Sequence, residues 1–186
     1  SDYDKYYNRI KNAVDATHGE VVVYDGKIIE AFYFAMSSGM TQDASAVFNE
    51  STDYLKSTVS EYDNEDLNNY EVTKSFEIGE FINILSLNCK SISVDYINYN
   101  ASGYVDDLSI CNTQYDGNKF RDTLGLRSAN FKINITSKVD ITTYGYGHGV
   151  GMSQYGANGY AKNGYTYKDI INHYYQNVEI INLKNV

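Results

Sequence analysis

At 186 residues the chain is long enough for a single domain, residues 1–186, with a real apolar core. Its 24 acidic residues outweigh 15 basic ones, for a formal charge of -9, and no basic cluster offsets them. That balance argues against nucleic acid as a partner, because binding there requires phosphates to be neutralised. No apolar run is long enough to span a membrane, and the start lacks the charged-then-apolar pattern of a signal peptide.

Tyr3, Tyr6, Tyr7, Ile10 and Val14 recur at helical spacing, which predicts a helix over residues 3–16. Glu20–Tyr24 and Lys27–Phe34 flank Asp25-Gly26, the signature of a β-hairpin. In the second strand Ile29, Ala31 and Tyr33 alternate with Ile28, Glu30 and Phe32. Ser37-Ser38-Gly39-Met40-Thr41 follows as a small-residue loop at a strand end. Residues 43–70 read as polar and irregular. The acids Glu61, Asp63, Glu65 and Asp66 read as a solvated face, since no glycine-punctuated calcium-loop spacing accompanies them.

Val72–Phe76 is expected to be a strand and Ile78–Leu85 a short helix. Ile92–Tyr99 and Tyr104–Cys111 form a second hairpin around Asn100–Gly103. Asp116-Gly117 marks a turn before a helical Phe120–Arg127. Phe131–Ile135 and Val139–Thr143 read as strands. One helix is expected from about Ser153 to Lys162, stopping near Gly164. Another is capped by Thr166 with Asp169 at the capping-box position. Val178–Leu183 reads as a last strand. The sum is an α+β fold: antiparallel hairpins and small sheets with a few packed helices, and a groove between loop-bearing faces. Cys89 and Cys111 either pair in an oxidising compartment or remain two buried thiols; the sequence leaves both open.

The segment Tyr144-Gly-Tyr146-Gly-His148-Gly-Val-Gly151-Met-Ser-Gln154-Tyr155-Gly156 carries the most chemistry. Its glycines permit close backbone approach, its tyrosines offer flat faces with polar tips, and its histidine titrates near neutral pH. A phosphate loop is disfavoured because no Gly-Lys-Ser/Thr follows. Twenty tyrosines and no tryptophan suit sugar faces, although tyrosine equally suits half-buried strands.

This segment resembles the signature of the stage II sporulation protein D and amidase-enhancer (LytB) family. The likeness continues through Gly159-Tyr-Ala-Lys162 to His173-Tyr-Tyr175. Upstream, Phe120-Arg121, Leu124-Gly-Leu-Arg127-Ser128 and Phe131 are similar to the family's arginine-containing loop. Ala13-Val-Asp-Ala-Thr17-His-Gly19, with Tyr24 to Thr41, is similar to its strand and Ser-Gly-Gly-x-Thr loop. Three ordered blocks span residues 13 to 175.

The resemblance implies peptidoglycan cleavage by a lytic transglycosylase. The cut falls between N-acetylmuramic acid and N-acetylglucosamine and leaves an anhydro sugar, as in the cell-wall remodelling of engulfment. The alternative is a non-catalytic module that binds peptidoglycan or enhances an amidase. The implied partners are peptidoglycan glycan strands and other cell-wall hydrolases. The implied location is extracytoplasmic and wall-facing, by membrane anchor or secretion.

The expected substrate-binding residues are Ser37, Ser38, Gly39 and Thr41 in the serine loop. Arg127 and Ser128 join them from the arginine loop, and Tyr146, His148, Gln154 and Tyr155 from the glycine-rich segment. The three glycines around His148 are expected to leave it uncrowded in a cleft. Arg127 is expected to stack on a sugar or to bond a muramyl carboxylate bidentately, the alternative being a salt bridge inside the scaffold.

The family's general-acid glutamate lies in a helix ahead of the block at Ala13, and Asp2-Tyr-Asp-Lys-Tyr-Tyr-Asn-Arg9 does not match it. The chain is therefore expected to be a fragment or a relative that binds without cutting. Glu30 is a weak catalytic candidate whose favoured reading is a sheet-surface carboxylate. Some relatives hold zinc with Cys and His near the serine loop. The matching positions here are Ser37 and Gln42, poor zinc ligands, so neither metal nor cofactor is expected. A serine hydrolase would need Ser37 or Ser38 beside His148, and no nucleophile-elbow motif supports it. His173 reads as a packing or capping residue.

Overall fold

A computed structural model describes residues 2–48, 52–63 and 70–183. Helix α1 (Asp2–Ala16) forms where the spacing predicts it, yet none of its residues is buried. Its apolar stripe, from Tyr3 to Val14, faces outward. Strand β1 (Glu20–Tyr24) turns at Asp25 and Gly26, both left-handed with φ of 48° and 70°, into β2 (Lys27–Ile28). Two consecutive positive φ values match the twist of a tight hairpin. On its other edge β1 pairs antiparallel with the last strand, β11 (Glu179–Asn182).

The expected second hairpin strand is broken. After Ile28 the Glu30 amide donates to the Tyr54 hydroxyl at 3.3 Å, and the Phe32 amide folds back on the Glu30 carbonyl at 3.0 Å. The chain resumes as β3 (Tyr33–Phe34), which pairs in parallel with β10 (Met152–Ser153). A parallel pair between such distant segments leaves no local signal in sequence.

Strands β4 (Glu71–Glu77), β8 (Phe131–Ile135) and β9 (Lys138–Tyr144) form an antiparallel sheet in the order β4-β9-β8. A second antiparallel sheet joins β5 (Val94–Tyr99), β6 (Val105–Ile110) and β7 (Thr113–Asp116). Two helices close the core between them, α3 (Ile78–Ile84) and α4 (Gly117–Leu124). Phe81, Phe120, Phe131, Leu108 and Ile141 have no solvent-accessible surface. Asp116 caps α4 by accepting from the Lys119 amide at 2.8 Å, so this helix begins three residues before Phe120. The Asp-Gly pair is thus the start of the helix itself rather than a turn ahead of it, and the helix ends at Leu124, short of Arg127. Cys89 and Cys111 are disulfide-bonded, with Cα atoms 6.2 Å apart.

A second core packs around α5 (Gln154–Lys162) and α6 (Tyr167–Tyr174), with the short α2 (Ser45–Phe48) nearby. Tyr160, Ile170 and Tyr174 from these helices meet Leu55 and Val150. The capping box of Thr166 and Asp169 is present as the sequence predicts. The fold is mixed α+β, with small antiparallel sheets and packed helices. The serine and glycine-rich loops lie at the seam between the two cores.

Candidate functional site

The serine loop and the glycine-rich loop run side by side. They touch directly rather than facing each other across a groove. Met36 and Tyr146 exchange backbone hydrogen bonds of 2.9 and 2.7 Å, and the Gln42 amide donates to the Gly149 carbonyl at 2.6 Å. The Tyr155 amide donates to the Ala35 carbonyl at 3.0 Å, fixing the start of α5 to the same strand. This proximity explains two of the glycines. Gly145 has φ 76°, and a Cβ there would sit 2.7 Å from the Met36 carbonyl oxygen. Gly151 has φ 78°, and a Cβ there would overlap the Phe32 carbonyl. Both the left-handed backbone and the missing side chain are required.

Asp63 sits at the centre of the seam, buried to 1% exposure. The expectation of a solvated acidic face fails at this residue; Glu61 is exposed, and Glu65 and Asp66 lie outside the described residues. The Ser37 and Ser153 hydroxyls donate to the two Asp63 carboxylate oxygens. Each hydroxyl also accepts a backbone amide at 3.1 Å, from Gly39 and from Gly156. A buried carboxylate is tolerated because both its oxygens are satisfied. It ties the serine loop to the N-cap of α5. Next to it the buried Ser60 hydroxyl meets the Tyr174 hydroxyl at 2.5 Å, in space that Gly156 leaves open. Burial pushes the Tyr174 phenol well above its ordinary range.

The other serine-loop residues are also bound into the scaffold. The Ser38 hydroxyl accepts from the Asn130 amide group at 2.8 Å, and its carbonyl accepts from the Tyr70 hydroxyl at 3.2 Å. The Thr41 hydroxyl accepts from the Thr58 amide at 2.9 Å, and the Ser128 hydroxyl from the Asn130 amide at 2.9 Å. Gln42 is buried. Its side-chain amide donates to the His148 carbonyl at 2.9 Å, while its oxygen accepts from Asn100 at 2.9 Å. Tyr104, buried beside the loop, donates to the Met40 carbonyl at 3.2 Å, and burial pushes its phenol up to about 12.

His148 is not the uncrowded cleft residue the glycines suggest. Its ring lies within 5.6 Å of the Phe34 and Phe48 ring centres and 6.3 Å of that of Phe32. Its Nδ1 accepts from the Val150 amide at 3.1 Å, and the ring also bonds the Tyr33 carbonyl. Burial holds its pKa below the ordinary histidine value, with the Arg121 charge adding to the effect. The nearby glycines bring backbone close; they do not open space for the ring. Ser37 spends its hydroxyl on Asp63, so no Ser37–His148 couple forms.

A subset of the expected residues does face solvent. Tyr146 and Tyr155 are 48% and 39% exposed, and Gln154 is exposed at the first turn of α5. The Arg127 guanidinium lies over the Tyr146 ring, 4.4 Å from its centre, and the Arg127 carbonyl accepts the Gly147 amide at 2.9 Å. The guanidinium thus stacks on a protein ring, and among the described residues it makes no scaffold salt bridge. Tyr33, which the sequence reading placed only as a strand residue, is 60% exposed. It lines an open depression of about 510 Å³ with Glu30 and Phe32. Glu30 is exposed, in keeping with the surface reading. His173 packs on Tyr160 and bonds the Val59 carbonyl at 2.7 Å, a packing role. Asp63, Tyr104 and Asn130 were not foreseen; only their polarity within an apolar surrounding, visible once folded, marks them.

The two loops joined at this seam are the segments whose motifs carry the family resemblance. The comparisons agree: the chain is a homologue of the stage II sporulation protein D and amidase-enhancer proteins. It is 39% identical over 183 residues to stage II sporulation protein D of Bacillus amyloliquefaciens, covering 97% of this chain and 53% of that protein. With stage II sporulation protein D of Bacillus subtilis (strain 168) the identity is 37% over 181 residues, covering 96% and 52%. The amidase enhancer of Bacillus subtilis (strain 168) is 25% identical over 222 residues, covering 88% and 31%. The chain thus spans about half the length of the sporulation relatives it matches. No family model matches it.

Proposed function

We propose that this chain is the glycan-holding part of a peptidoglycan-remodelling protein of sporulation, and that the whole protein cleaves glycan strands as a lytic transglycosylase. The observation that carries this is the exposed set Tyr33, Tyr146, Tyr155 and Gln154, with the half-buried Arg127 stacked on Tyr146, beside the bonded seam. Tyrosine rings suit sugar faces, and Gln154 suits acetamido groups. Ser37, Ser38, Gly39, Thr41, Ser128 and His148 position this platform from behind. The disulfide between Cys89 and Cys111 supports an oxidising, extracytoplasmic setting, where peptidoglycan is found.

Cleavage needs a protonated acid at the glycosidic oxygen. His148 is engaged by backbone on its ring, so it does not serve. In this proposal the acid belongs to the helix that the resemblance puts ahead of Ala13, and this chain orients the strand against it. Likeness to the amidase enhancer favours a second reading, a module that binds the wall and never cuts.

Mass spectrometry of digested glycan strands tests both. The full-length protein is expected to release anhydro-muramyl products, and the 186-residue chain to fall short by about 10²–10⁴-fold, the usual worth of acid catalysis. Anhydro products from the chain alone, lost in Glu30→Gln, would move the acid to Glu30. No cleavage by the full-length protein would favour the enhancer reading.

A further inference from the structure

Arg127 and Lys74 share a pocket that the glycan platform does not explain. It measures about 190 Å³ and is walled by Val72, Gly125 and Thr143 as well as the two cations. The Arg127 Nε–H is buried and meets no acceptor. The Lys74 Nζ donates one hydrogen to the Leu124 carbonyl at 2.7 Å, at the end of α4, and lies 5.1 Å from the Phe76 ring centre. Among the described residues neither cation makes an ion pair, although the chain carries 24 carboxylates against 15 bases. Tyr146 attracts the guanidinium without neutralising it. The Thr143 hydroxyl is spent on the Val72 carbonyl at 3.0 Å, so it offers the cations no counter-charge.

We propose that this pocket is a carboxylate subsite, in which Arg127 and Lys74 together take an anionic group of the ligand. A guanidinium presents paired N–H groups that match the two oxygens of a carboxylate, and an ammonium adds a point charge. Lys74 keeps two N–H donors after its bond to Leu124. The inference rests on the glycan reading for the identity of the ligand: the carboxylate comes from the muramyl side of the strand, as its lactyl group or as a stem-peptide acid. It would fix the polarity of the strand on the tyrosine platform, because N-acetylglucosamine has no such group.

The test begins without glycan. The Arg127 Nε–H resonance is followed by ¹⁵N NMR while the chain is titrated with acetate, then with inorganic phosphate, at constant ionic strength. A saturable acetate shift is expected, weakened about fivefold or more in Lys74→Gln and restored in Lys74→Arg, with a smaller response to phosphate. Circular dichroism confirms that both variants fold. No saturable shift, no change in Lys74→Gln, or an equal phosphate response overturns the carboxylate subsite whatever the glycan result.

Calorimetry with three sugars then follows: N-acetylmuramic acid, its lactyl methyl ester and neutral chitotriose. The acid is expected to bind about tenfold tighter than the ester, and the preference to vanish in Lys74→Gln. Muramyl dipeptide, whose lactyl group is amidated, separates the stem-peptide source from the lactyl one. Equal binding of acid, ester and chitotriose, with muramyl dipeptide no tighter, leaves the glycan platform standing and sinks the subsite. An acetate response with no sugar binding does the reverse.

Discussion

Asp63→Asn is the sharpest perturbation of the seam. In the wild type both serine hydroxyls donate to the carboxylate, and each already accepts a backbone amide. The Ser37 hydrogen therefore has one destination, whereas the Ser153 hydroxyl also lies 3.4 Å from the Ala35 carbonyl. An asparagine has a single acceptor oxygen, so one serine hydroxyl is left facing an NH₂ donor. A buried donor without a partner costs about 1–3 kcal/mol, and the surviving bond loses its charge-assisted character, about 1 kcal/mol more. The expected loss is about 2–4 kcal/mol. At about 2–4 °C per kcal/mol for a chain of this size, the Tm falls roughly 4–16 °C. Urea unfolding and a thermal scan read it directly. The double variant Asp63→Asn, Ser37→Ala removes the stranded hydroxyl, so it should be more stable than the sum of the single losses by about 0.5–3 kcal/mol. If Asp63→Asn stays within about 0.5 kcal/mol of wild type, as a surface change would, or if the two substitutions add, Asp63 does not tie the loops together.

Reducing the Cys89–Cys111 bond, whose partners are 22 residues apart, should cost about 3 kcal/mol by loop-closure entropy, read as a drop in urea midpoint on adding reductant. Gly151→Ala should cost about 3 kcal/mol or more, because the new Cβ meets the Phe32 carbonyl. Gly26→Ala, left-handed but open to solvent, should cost about 1 kcal/mol; equal losses in the two denaturation curves would mean that backbone conformation alone sets the effect. His148 has a folded pKa below its ordinary value, so its contribution is fully present above about pH 6.5. That contribution is lost as pH falls toward the folded value, because the unfolded chain takes up the proton first. A Tm-against-pH series from 8 to 5 should show this loss in wild type and not in His148→Asn.

What could be read in advance was local. The helix over residues 3–16, the strands at 131–135 and 139–143 and the capping box at Thr166 rest on neighbours a few residues apart, and they form where the pattern puts them. The broken strand after Ile28 was not legible, because its alternation continues through Tyr33 while the backbone leaves to meet Tyr54 and β10. Asp63 was misread for the same reason. In sequence it sits among acids in a polar stretch, and only the distant Ser37 and Ser153 make its burial tolerable. His148 shows how flanking glycines can mislead about a side chain's surroundings. Glycines on both sides mean that backbone comes close, and here that backbone brings Phe32 and Phe34 onto the ring.

The same logic separates support from contact within the candidate site. Polar side chains of the site that find partners within the scaffold are consumed by it: Ser37, Thr41, Gln42, Ser128 and the His148 ring. Residues that the seam leaves over are the exposed Tyr33, Tyr146 and Tyr155, with Arg127 half-buried against the Tyr146 ring. A fully bonded polar seam holds its geometry at low conformational cost, which is what a platform for a long, weakly held polymer requires. On the proposed glycan reading the loops would serve function through rigidity, and the residues left to meet a ligand would be the ones the scaffold did not need.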